Sequence, residues 1–174
     1  MDYNLTDIGA ERAVLAGLFQ YGIDAYVEVA DIVTASSFGH DNNQILYSCV
    51  QHVIENNSEV DLPSILSAAS VLKHSERIEN DTELQYIRSL FDFPVNQGNI
   101  FNFAVQVKKF EFARNIKKLT MKIHKDMDSV NGTESIDEII GRIEDPVMDF
   151  LREDDGGERP EKIGKDVDEY LEFI

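Results

Sequence analysis

Gly164-Lys165 is the one pair in this chain that looks like part of a phosphate-binding loop, and the rest of the motif is missing. A nucleotide cradle needs a glycine five residues before Gly164 and a hydroxyl-bearing residue after the lysine. Arg159 and Asp166 stand there instead. Asp166 would repel phosphate, and it brings no hydroxyl to magnesium. His40, His52, His74 and His124 are scattered, with no i,i+4 pair and no cysteine partner, so zinc-ligand spacing is absent. No serine sits in the G-x-S-x-G elbow of a hydrolase. His40-Asp41 is an adjacent polar pair of little weight. Solvation of the surface accounts for the many carboxylates. The pattern points to a binding and assembly module with no catalytic, cofactor-binding or metal residue.

The charge supports that direction. The chain has 174 residues and a net charge of -17. A surface this acidic repels phosphate backbones at long range, so tight DNA binding by this piece alone is not expected. Lys108, Lys109, Arg114, Lys117, Lys118, Lys122 and Lys125 form a local exception, interrupted by Glu111. They read as a solvated helix face; the sharper alternative is a strip facing an acidic partner or passing DNA. Exposed aromatics for stacking on single strands are absent from the strip. Cys49 is the single cysteine, set in an apolar run, and reads as a small buried hydrophobe. That usage fits a reducing cytoplasm. Neither a membrane-length apolar run nor a signal peptide is visible, so no membrane partner is expected.

The elements that would position these residues are helical, and alternating strand patterns are nearly absent. Thr6 or Asp7 can cap a first helix with Ile8, Val14, Leu15, Leu18 and Phe19 on one face, ended by Gly22. Further helices are expected near 25–33 and 42–56. Asp61 is a good cap for the next, with Pro63 in its first turn. Asn80-Asp81 precedes another, which Phe93-Pro94 stops. Residues 96 to about 127 read as one helix of roughly 45 Å. Its apolar stripe changes partway, from Ile100, Phe103, Ala104 and Val107 to Phe112, Ile116, Leu119, Ile123 and Met127.

Asn131-Gly132 makes a turn, and Ser135-Ile136-Asp137-Glu138 is a capping box. The helix after it carries Ile136, Ile139, Ile140, Ile143, Val147, Phe150 and Leu151 on one stripe, with Pro146 expected to kink it. Two stripes joined by a short turn make an antiparallel hairpin. The hairpin buries little by itself, so Phe112, Ile116, Leu119, Ile123, Ile139, Ile140, Ile143 and Val147 are its candidate self-association residues. Residues 153–160 read as a polar linker. Val167, Tyr170, Leu171 and Ile174 then form a short amphipathic stripe with nothing left to cover it, a candidate docking helix. The expected class is all-α: a helical globule over 1–100, a hairpin over 101–152, and a linker with its helix over 153–174.

The opening Glu11-Arg12-Ala13-Val14-Leu15-Ala16-Gly17 has company at matching distances further on. Phe38 is followed by Leu46-Tyr47, and then by Val60-Asp61-Leu62. Asn99-Ile100 with Phe103-Ala104 leads into Lys108-Lys109. The series resembles the N-terminal domain of DnaB-type replicative helicases over about residues 5 to 120. Asn43 stands where that family often has histidine, and Gly39 where it often has tyrosine. Residues 93–99 replace the family's usual threonine-proline-serine run.

The resemblance implies a subunit that self-associates as dimer, trimer or hexamer into a collar, recruits primase and a helicase loader, and meets DNA only through the complete ring. ATP and magnesium would belong to an ATPase domain that this chain does not include, so a piece ending before that domain is expected. The implied setting is the cytoplasm, bacterial or that of a phage host. A stand-alone helicase-binding adaptor, loader-like or primase-derived, is the alternative.

Overall fold

Asp7 opens the first helix by accepting the backbone N–H of Ala10 at 2.9 Å. In the computed structural model, which describes residues 5–154, helices and turns account for the described chain and no strand occurs among the described residues. Helix α1 spans Ile8–Tyr21 and ends at Gly22, whose φ of 55° is open to glycine. Helix α2 spans Ile23–Val29 and α3 Asp41–Glu55, with a single 3-10 turn at Ala35–Ser37 between them. Next come α4 at Leu62–Val71, the one-turn α5 at Ser75–Ile78, and α6 at Asp81–Phe91. The long α7 covers Gln97–Asp128 and α8 Ile136–Asp154.

The caps follow side-chain chemistry. Asp61 accepts from Ser64 N at 2.8 Å and Asn80 from Glu83 N at 3.0 Å. Pro94 stops α6, and the Gln20 amide donates to the carbonyls of Leu90 and Phe93 at that end of the helix. Pro146 lies inside α8, and the helix carries on through it to Asp154.

Contacts divide the chain after Arg114, beyond the boundary at 100 expected from the sequence. Ile100, Ala104 and Val107 are still buried in the first unit, and so is Glu111. Helix α1 is that unit's axis, with every residue from Ala13 to Phe19 buried. Helix α1 is therefore buried on more than the one face that its apolar spacing predicts. Ile8, placed on its apolar face, is 58% exposed, while the small residues Ala13, Ala16 and Gly17 are covered. Their size lets other helices approach on several sides. At Gly17 the Ile100 side chain of α7 fills the place where a Cβ would stand.

Around α1, the α3 residues Ile45, Leu46, Cys49, Val50 and Val53 are buried as their spacing requires. Burial pushes the Cys49 thiol up to about 11, which keeps it protonated and unreactive. Ile65 and Ala69 of α4 and Ile87 and Leu90 of α6 complete the core. Helix α2 stops at Val29, four residues short of the expected end. The buried Val33 lies beyond the helix, and its carbonyl accepts the Tyr47 hydroxyl at 2.9 Å. No helix of the described chain is long and apolar enough to cross a membrane.

Candidate assembly surface

Where α7 reaches the end of the first unit, it is fixed by a buried carboxylate. Glu111 is 7% exposed. It accepts hydroxyl bonds from Ser37 at 2.7 Å and Ser36 at 3.2 Å, and pairs with Lys108 at 2.9 Å. One turn on, the Arg114 guanidinium donates to the carbonyls of Leu5 and Ser37. Two members of the lysine-rich strip, and the acid that interrupts it, are thus structural. Lys109, Lys117, Lys118, Lys122 and Lys125 are exposed.

Burial pushes the Glu111 carboxyl up; the bonds from Lys108 and Ser37, the Lys108 charge and the Ser36 bond outweigh it and leave the group below its ordinary 4.5. A depressed carboxylate contributes stability that is present above its unfolded pKa and lost as the pH falls through the folded one. Glu111→Gln is expected to cost about 1 to 2 kcal/mol at neutral pH. The gap between wild type and variant should narrow as the pH falls below about 4. Urea melts at both pH values measure this, and an equal gap at both would show that the ionised form contributes nothing.

The second unit starts at Asn115 and is held at its turn by Arg142. This guanidinium donates to the carbonyl of Asp126 at 3.1 Å and to Ser129 Oγ and Glu134 Oε1 at 2.9 Å each. Glu134 in turn accepts the backbone N–H groups of Asn131 and Gly132. The expected capping box at the start of α8 is formed: the Ser135 N–H donates to Glu138 at 2.7 Å and the Glu138 N–H to Ser135 Oγ at 3.2 Å. Sequence reading found the box and missed Arg142, because nothing near it in sequence names its partners.

Packing leaves much of the unit's apolar surface uncovered. Ile140 and Ile143 are each 44% exposed and Ile136 is 76% exposed, with Leu151 and Met148 also open. On α7, Ile116 is exposed, and so is Phe112, within the lysine-rich strip where the sequence predicts no exposed aromatic. Leu119, Ile123, Ile139 and Val147, the other candidate self-association residues, are half-buried. The α8 residues Ile136, Ile140, Ile143 and Val147 recur at steps of 4, 3 and 4, the spacing of a helix-pairing seam. The docking candidates Val167, Tyr170, Leu171 and Ile174, together with Gly164-Lys165, lie outside the described residues.

Among the described residues no three or more His, Cys, Asp or Glu are grouped to hold a metal ion. A second buried carboxylate ties the first unit together. Glu11 is 1% exposed, and accepts the Gly39 N–H at 2.6 Å and the Asn43 amide at 2.8 Å. The Tyr86 hydroxyl closes the chain on Asn43 Oδ1 at 2.9 Å. Next to Glu11, the Arg12 guanidinium lies 4.5 Å from the centre of the Phe93 ring and bonds the Ser89 hydroxyl. The two carboxylate oxygens of Glu11 and the Asn43 amide are thus engaged by protein partners, while the buried Arg12 Nε has no hydrogen-bond partner.

The fold has known counterparts. The family model for the DnaB-like helicase N-terminal domain matches residues 4–109. No curated protein sequence matches the chain. Among solved structures, the crystal structure of the N-terminal domain of DnaB helicase from Mycobacterium tuberculosis is similar, with a TM-score of 0.69 over 83% of this chain and 97% of that one. The two are 17% identical, so the likeness is one of fold. With its family match covering most of the first unit, the chain belongs to the DnaB-like helicase N-terminal domain family.

Proposed function

We propose that this chain is the assembly and partner-binding domain of a hexameric replicative DNA helicase. Its hairpins pair between copies to build a collar, and the collar recruits primase or a loader. In this reading ATP, magnesium and contact with DNA belong to the complete ring, and the Val167–Ile174 stripe docks on an ATPase domain. The observation that carries the proposal is the seam of Ile136, Ile140 and Ile143 left exposed on α8 beside half-buried Val147. Burying the exposed half of an isoleucine contributes about 1 kcal/mol, and a symmetric pair does so twice for each position.

The test is molar mass by light scattering across a range of concentrations. The wild type is expected as a dimer, trimer or hexamer. Ile116→Asp with Ile143→Asp should give a monomer with unchanged helical circular dichroism, because both sites are already exposed and a charge at a dry interface costs several kcal/mol. A wild type that stays monomeric throughout, or a variant that stays oligomeric, overturns the assignment.

A further inference from the structure

No lysine or arginine occurs between Arg12 and Lys73. That interval holds α2, α3, α4 and most of α1 and supplies no lysine or arginine to its own carboxylates, of which Asp41 is reached from outside by Arg77 of α5 at 3.3 Å. Within it lies an open depression of about 520 Å³. Its walls are the ends of α1 and α3, the start of α2 and the loop 57–60, with Phe19, Tyr21, Ile23, Ile54 and Val60 as the apolar lining. Ile23 is 54% exposed, and Val27 one turn on is 68% exposed. An added Cβ at Gly22 would meet nothing within 4 Å, so the depression is open on that side.

The charge around this apolar floor is of one sign. Glu59 lines it, Asp24 follows Ile23 on α2, and Glu55 ends α3. The negative end of the fifteen-residue α3 also lies in the wall. Burial first, and then the Glu55 charge, raise the Tyr26 hydroxyl. No buried titratable group converges on the floor, so the depression has the features of a docking groove rather than of a catalytic site. An apolar floor under an anionic rim complements a helix with leucine-like residues on one face and lysine or arginine beside them.

We propose that this groove docks a basic amphipathic helix of another protein. The surface belongs wholly to the first unit and does not depend on the hairpin pairing proposed above.

The test is a titration of the full chain, followed by amide NMR shifts, with a short helical peptide of leucine and lysine in amphipathic order. Saturable shifts centred on Tyr21–Ile23 and Asn57–Val60 are expected. Asp24→Lys with Glu59→Lys, both at exposed positions, should weaken binding about tenfold and leave the melting temperature unchanged. The same peptide with glutamate in place of lysine should not bind. Shifts on the α8 carboxylates instead, or equal binding of a scrambled leucine–lysine peptide, would overturn the proposal. Groove resonances that move with protein concentration alone would assign the groove to a second copy. Groove contacts from residues 155–174 would assign it to this chain's own C-terminal segment. Either result also overturns the proposal.

Discussion

Glu11→Ala is expected to remove about 3 kcal/mol of stability, a large share of the roughly 5 to 15 kcal/mol that holds a domain together. The reason is the position of the carboxylate at a junction. Its two oxygens take the Gly39 N–H and the Asn43 amide, and Asn43 takes the Tyr86 hydroxyl. Helices α1, α3 and α6 and the turn before α3 therefore share one hydrogen-bonded chain. Alanine leaves the part-buried Gly39 N–H and the buried Asn43 amide without this partner, and a buried orphan costs about 1 to 3 kcal/mol. It also leaves a void in a close-packed interior. The urea midpoint should fall with the slope unchanged. Asn43→Ala combined with Glu11→Ala should cost clearly less than the two single losses added, because the same bond is removed twice. Additive losses, or a single loss below about 1 kcal/mol, would show that the carboxylate does not organise this junction.

Local chemistry made much of this fold legible in advance. Asp7, Asp61, Asn80 and Ser135 cap helices, each through a side-chain oxygen that takes a backbone N–H of its own first turn. Apolar spacing located the buried faces of α3 and the first half of α7, because those helices keep a polar side toward water. The same signal failed for α1. Ala13, Ala16 and Gly17 weigh little in an apolar pattern, yet they are covered because small residues admit close neighbours. The four-residue α5 buries one side chain, Ile78, and is too short to show a period.

The two buried carboxylates were legible as letters and not as partners. Glu11 belongs to the motif that carries the family resemblance, but its hydrogen bonds come from Gly39 and Asn43, 28 and 32 residues further on. Glu111 sits among lysines and reads as part of a solvated strip, while its serine partners lie 74 and 75 residues away. For the hairpin, periodicity names the apolar residues, and the structure adds how far each remains open. Which surface meets them is a property of two chains, and one chain's sequence does not contain it.

Gly17→Ala should destabilise the protein by about 2 kcal/mol, although alanine is the better helix former by about 1 kcal/mol. The sign is decided by Ile100. A Cβ on Gly17 would stand 2.4 Å from Ile100 Cδ1 and 2.7 Å from its Cγ1. The terminal methyl alone could swing aside, but Cγ1 moves only with the whole side chain, and Ile100 is 0% exposed. The added methyl must therefore push α7 away from α1 or force Ile100 off its rotamer. Relief should come from the other side of the contact. Ile100→Ala alone opens a cavity and should cost about 2 to 5 kcal/mol, whereas in the Gly17→Ala background the new methyl fills part of that space. The double variant should thus be more stable than the sum of the two single losses predicts, by at least about 1 kcal/mol. Thermal melts of the four proteins measure it. A Gly17→Ala protein as stable as wild type would mean that the two helices separate at no cost, and that Gly17 is not what sets their spacing.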